Sequence, residues 1–161
     1  MHLTLRLRKC RLAHHEVKFC GKIIGSGTKR PDPDKVEAVW GLKPARTKTE
    51  VRRLLGFFSY FRDHIPNFAA IALPLTELST KRVPTLLPWT EAHSRALEQL
   101  KTALSTATAF FVADIQRPFY VTVDASDYAV GGYLSQMYIE EGNDRERPLA
   151  FFSTKLNSGQ M

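Results

Sequence analysis

Acidic residues are nearly missing from the first thirty positions of this 161-residue chain, where Glu16 stands alone against Arg6, Arg8, Lys9, Arg11, Lys18, Lys22, Lys29 and Arg30. Residues 31–161 balance fifteen basic against fifteen acidic side chains, so the net charge of +7 is N-terminal. Such a patch suits a polyanion, above all a phosphate backbone, and the same pattern also describes a solvated basic edge. Cysteine is scarce: Cys10 and Cys20 exclude a disulfide framework or a Cys-x-x-Cys zinc half-site and read as reduced, buried thiols. No apolar run approaches the roughly 20 residues of a membrane span, so no membrane is expected as a partner. The opening "MHLTLRLRKCRL" alternates Leu3, Leu5 and Leu7 with polar residues. A period of two fits a strand rather than a signal peptide or targeting helix, and the expectation is an intracellular chain, not a secreted one. His14, His15, His64 and His93 form no His-x-x-x-His spacing, and there is no Gly-rich phosphate loop and no nucleophile constellation.

What is present divides into three regions. Leu3 to Leu12 and Val17 to Ile24 read as two strands of a basic hairpin joined by "AHHE", after which "GSGTKRPDP" breaks the pattern. Asp34 is placed to cap a short helix, Lys35 to Trp40. "TKTE" from Thr47 to Glu50 is a capping box, and Val51, Leu54, Leu55 and Phe58 recur on one helical face up to the break at Pro66. A second helix is expected from Asn67 through Leu78, kinked at Pro74, and a third after Thr90 with Leu97, Leu100 and Leu104 as its buried stripe. From Ala107 the period changes to two. Phe119, Val121 and Val123 form an apolar face opposite Tyr120, Thr122 and Asp124, and Ala129 to Met137 and Pro148 to Thr154 read as two more antiparallel strands around the loop "YIEEGNDRER". The fold class is α+β: a basic β-hairpin, a three-helix bundle, then an incomplete antiparallel sheet.

The motifs "LRKC", "VKFCGKIIG", "PDPDKVEAV", "TKTEVRRLLGFFSYFRDHIPNFAAIALPLTEL", "PWTEAHSRALEQLKTAL" and "PFYVTVDASDYAVGGYLSQ" follow in one order. Together they resemble the Pol polyprotein of gypsy-class long-terminal-repeat retrotransposons over nearly the whole chain. The resemblance implies three parts: residues 1–44 as the C-terminal remnant of a reverse transcriptase palm with its connector, 45–106 as the thumb, and 107–161 as the N-terminal part of an RNase H-like domain. It implies a parent chemistry of RNA-directed DNA polymerisation and hybrid cleavage with Mg²⁺, nucleic-acid duplex and the remainder of the polyprotein as partners. The palm's Tyr-x-Asp-Asp hairpin has no counterpart here, and neither do the later nuclease carboxylates, so this chain by itself is expected to be inactive and to bind no Mg²⁺. A domesticated interaction module and a decayed gene product are the alternatives.

The same resemblance assigns residues. Asp124 matches the first RNase H carboxylate, the catalytic and metal-binding position when its partner carboxylates are present; Asp127 reads as a turn residue. Lys9 matches a palm lysine near the incoming triphosphate, with Arg6 and Arg8 beside it. Gly21 and Lys22 fall in the hairpin that supports a primer end, where Gly21 either admits a sugar-phosphate or marks a bulge. Arg52, Arg53, Gly56, Tyr60 and Arg62 lie on the thumb helix that faces a duplex minor groove. Gly56 costs about 1 kcal/mol relative to Ala inside a helix, which suits either a close approach by nucleic acid or helix-to-helix packing. Phe57, Phe58 and Phe61 read as core.

Overall fold

The computed structural model describes Cys10 and residues 13–80, 87–126, 129–140 and 142–156. Residues 1–9, Arg11 and Leu12 lie outside these, so the first expected strand does too. Where one strand was expected from Val17 to Ile24 there are two, β1 (Glu16–Phe19) and β2 (Lys22–Gly25), and a third, β3 (Thr28–Pro31), occupies the segment read as a break. The reason is turn chemistry. Cys20 and Gly21 have φ of +48° and +73°, Ser26 and Gly27 +49° and +70°. Each pair is a two-residue turn of the kind whose twist matches flanking antiparallel strands. Gly21 is therefore the second residue of a turn and not a bulge.

The short helix α1 (Pro33–Val39) starts earlier than expected, because Asp32 rather than Asp34 is its cap and accepts from the Asp34 amide. Thr47 caps α2 (Lys48–Tyr60) by accepting from the Glu50 amide, while the Glu50 carboxylate accepts from the Arg46 amide. A 3₁₀ turn, Arg62–His64, follows. The expected second helix is broken at Ala72 into α3 (Phe68–Ile71) and α4 (Leu73–Leu78), with Pro74 at the start of α4. There its missing N–H costs nothing. Asn67 does not cap α3 with its side chain; it sits in the left-handed region at φ +51°. α5 (Glu91–Ser105) opens on a reciprocal pair in which the His93 ring, not a carboxylate, reaches back to the Thr90 amide. Val51, Leu54 and Phe58 of α2 pack with Leu75 and Leu78 of α4 and Leu97, Leu100 and Leu104 of α5 into one buried cluster that also takes in Val39 of α1.

Two sheets flank this helical core. β4 (Phe110–Phe111) pairs with β3, giving the order β1-β2-β3-β4, so the chain returns after α5 to the sheet it began. The second sheet is β5 (Tyr120–Ala125), β6 (Ala129–Glu140) and β7 (Asn143–Lys155), antiparallel throughout. β6 and β7 run well past the expected ends and pair as far as Glu140 with Asn143, so much of the segment read as an acidic loop is hairpin. Glu140 forms ion pairs with Arg145 and Arg147 across this hairpin, and Arg147 lies over the Tyr138 ring. A bulge between Leu134 and Ser135 accommodates Pro148, which has no amide to give to a regular ladder.

Candidate nucleic-acid interface

The outer face of α2 is built by helical spacing. Val51, Leu54 and Phe58 take the core, which turns Arg52, Arg53, Gly56, Ser59 and Tyr60 outwards, and all five are exposed. A Cβ added at Gly56 would find nothing within 4 Å. Helix-to-helix packing therefore does not explain this glycine; its position is open surface between two arginines and a tyrosine. Arg52 donates to the Ser79 carbonyl, at 3.3 Å. Phe58 and Phe61 are buried and Phe57 is partly so, stacked edge-on against Phe58, as core residues.

Tyr60 and Arg62 differ from expectation in what they touch. The Tyr60 hydroxyl donates to the Cys20 carbonyl in the β1–β2 turn, so its ring braces the meander while one edge stays exposed. Arg62 donates to the Ser153 carbonyl of β7 and lies over the Phe68 ring, which ties its guanidinium to the second sheet. Lys22 is held by Asp63, its Nζ 2.8 Å from one carboxylate oxygen. Arg6, Arg8 and Lys9 lie outside the described residues. Cys10 and Cys20, expected to be buried, are both exposed.

Asp63 and His64 are residues that sequence reasoning left unassigned. Burial pushes the Asp63 carboxyl up, but the Lys22 hydrogen bond and the charges of Lys22 and Lys29 outweigh it and hold the carboxyl below the usual carboxylate range. The His64 side chain is fully buried, and burial lowers its pKa to about 4 against the opposing pull of Asp63. The signal for both was faint: a polar pair in a helix end, with partners some forty residues away.

Asp124 lies opposite Gly131, which lies opposite Ser153, so these three share one row on one face of the second sheet. That face meets the segment joining the 3₁₀ turn to α3. The Ala69 amide donates to Ser153 Oγ at 2.9 Å, and a Cβ on Gly131 would stand 3.2 Å from Asn67 Oδ1. Asp124, Asn67, Ser126 and Ser153 line a cleft of about 170 Å³ here. The donor set is one carboxylate with neutral oxygens, and among the described residues no group of three or more His, Cys, Asp or Glu comes together to hold a metal ion. Two hard cations about 4 Å apart require several carboxylates, so these residues do not fit such a centre. The opposite face, with Val121, Val123 and Phe152, is exposed. Among the described residues no helix is long and apolar enough to cross a membrane.

Residues 89–161 match the RNase H-like domain found in reverse transcriptase, a stretch that takes in α5 as well as the second sheet. The chain is 32% identical, over 97% of its length, to the retrovirus-related Pol polyprotein from transposon opus of Drosophila melanogaster, and 33% identical, over 93%, to the Gag-Pol polyprotein of koala retrovirus. It spans 16% and 8% of those two relatives. The structure superposes on that of the foamy viral protease-reverse transcriptase in complex with RNA/DNA hybrid with a TM-score of 0.78 at 26% identity, covering 95% of this chain and 20% of that one.

Proposed function

Because the chain is a segment of a Pol polyprotein of the kind found in retrotransposons and retroviruses, bearing an RNase H-like domain found in reverse transcriptase, we propose that it serves as the duplex-binding junction of such an enzyme. In this reading the three parts are the palm remnant of residues 1–44, the thumb of 45–106 and the RNase H-like part of 107–161, and the parent is of the gypsy class. The duplex lies along the outer face of α2, where Arg52 and Arg53 meet phosphates, Tyr60 meets a sugar, and Gly56 lets the backbone come close to a groove. The observation that carries this is the open space at Gly56 on an exposed face that includes both arginines. Arg6, Arg8 and Lys9 add phosphate contacts from the N-terminal side. The contacts are to phosphates and sugars, so binding is independent of sequence and weakens steeply with salt.

The parent enzyme polymerises DNA on RNA and cleaves RNA in hybrids with divalent cations. Asp124 is the first of the nuclease carboxylates, and this chain alone carries out neither reaction.

Fluorescence anisotropy with a labelled RNA/DNA hybrid tests the reading. Gly56→Leu favours the helix by roughly 0.8 kcal/mol yet fills the open position, so it should raise thermal stability and weaken binding. Arg52→Gln with Arg53→Gln should reduce the salt slope by about 2. Unchanged binding in both variants would remove α2 from the interface.

A further inference from the structure

Between residues 13 and 30 the basic patch of the sequence does not survive as free charge in three dimensions. All four lysines and arginines there face carboxylates: Lys18 meets Asp32 and Asp34, Arg30 meets Glu16, and both Lys22 and Lys29 meet Asp63. Lys18 is half-exposed above a buried Asp32 and an exposed Asp34, and the Arg30–Glu16 pair is open to solvent, so each contributes little that a duplex would have to displace. The third is different. Lys22 Nζ lies 3.1 and 2.8 Å from the two oxygens of Asp63 and Lys29 Nζ lies 3.7 Å from one of them, with the three side chains only 18%, 29% and 22% exposed in the order Lys22, Lys29, Asp63.

The geometry follows from the meander. Lys22 and Ile24 share a face of β2, and Ile24 is paired with Lys29 of β3, so both ammonium groups project from the same side of the sheet. That side is the one against which the 3₁₀ turn after α2 is packed. Asp63 thus ties two strands to the end of the thumb helix through one carboxylate. Beneath it His64 is neutral and stacked on Phe110, leaving Asp63 as the only anion facing the two lysines among the described residues.

We propose that Asp63 is a lock on nucleic-acid affinity: it holds Lys22 and Lys29 against the thumb, so that neither reaches a phosphate unless the contact between meander and thumb opens. Phosphate and carboxylate compete for the same ammonium groups. A duplex that recruits the lysines therefore loosens the thumb from the meander, and a tightened thumb weakens the duplex by the same factor. This inference rests on the nucleic-acid reading above and adds its regulation.

The test is the salt dependence of hybrid binding between about 50 and 200 mM salt, where each phosphate neutralised contributes about 0.9 to the logarithmic slope. Wild type and Lys22→Met/Lys29→Met should share one slope, because the lysines do not touch phosphate while Asp63 holds them. Asp63→Asn should steepen the slope by up to about 2 and tighten binding several-fold at low salt. Adding Lys22→Met/Lys29→Met to Asp63→Asn should restore the wild-type slope, and Asp63→Glu should keep it. Binding by wild type with an unaltered slope in a folded Asp63→Asn protein overturns the lock alone. A flattened slope in Lys22→Met/Lys29→Met also overturns it, and that arm decides should Asp63→Asn fail to fold. Absence of binding by both wild type and Asp63→Asn overturns the nucleic-acid reading with it.

Discussion

His64 lies face to face with Phe110, ring centroids 4.7 Å apart and planes 18° from parallel, and Phe110 in turn meets Phe151 edge-on. This stack joins the 3₁₀ turn that follows α2 to β4 of the first sheet and β7 of the second. Both ring nitrogens of His64 are buried without a hydrogen-bond partner among the described residues. The junction is therefore built around a neutral imidazole, with Asp63, Lys22 and Lys29 as the charged groups nearest it.

Stability should fall as pH drops from 6.5 towards 4. The unfolded imidazole takes up its proton near 6.5, whereas the folded one resists until about 4. The unfolded state thus binds more protons across that window, and up to about 3 kcal/mol present above pH 6.5 is lost across it. Urea titrations at stepped pH read this directly. His64→Phe keeps the stack and should abolish the slope; an equal slope in that variant would assign the effect elsewhere.

Phe58→Ala should destabilise the chain by about 3–5 kcal/mol, since Phe58 is fully buried at the centre of the helical cluster. Chemical denaturation measures it. A loss under about 1 kcal/mol would mean that the core collapses around the cavity.

Backbone amides of β5 should exchange hydrogen faster than those of α2 and α5. Every residue of Tyr120–Ala125 is exposed and Val121 and Val123 are 59% and 58% accessible, whereas β7 is held by Arg62 and Ala69. Within the second sheet, protection should rise from β5 to the β6–β7 hairpin. Uniform protection in a monomer would contradict this order.

Hybrid cleavage in Mg²⁺ or Mn²⁺ should be undetectable with the wild-type chain, because among the described residues no group of three or more His, Cys, Asp or Glu gathers to hold metal ions. Cleavage abolished by Asp124→Asn would show that a working site assembles nonetheless.

Local rules made much of this protein legible in its residues. The Thr47 cap, the α2 and α5 stripes and the strand at Phe119 to Asp124 all depend on neighbours within a few positions and reappear in the structure, although α2 stops at Tyr60 and gives way to the 3₁₀ turn well before the expected break at Pro66. The order of motifs was sufficient for the family resemblance, because motif spacing is a property of the chain itself. Where local rules competed, they misled. Cys20 and Ser26 adopt left-handed turns that their residue types do not favour, and so one expected strand became two and a break became a third.

Tertiary structure alone decided the charges and the junction. A run of cations in sequence carries no information about which carboxylates the fold will bring beside it, and Asp63 reaches Lys22 across 41 positions. Nor could spacing reveal that β4 returns to β3, that Arg62 is committed to Ser153, or that a cleft links Asp124 to Asn67. These depend on how separately formed elements dock, which is set by the burial of their apolar faces against one another and not by any pattern within a single element.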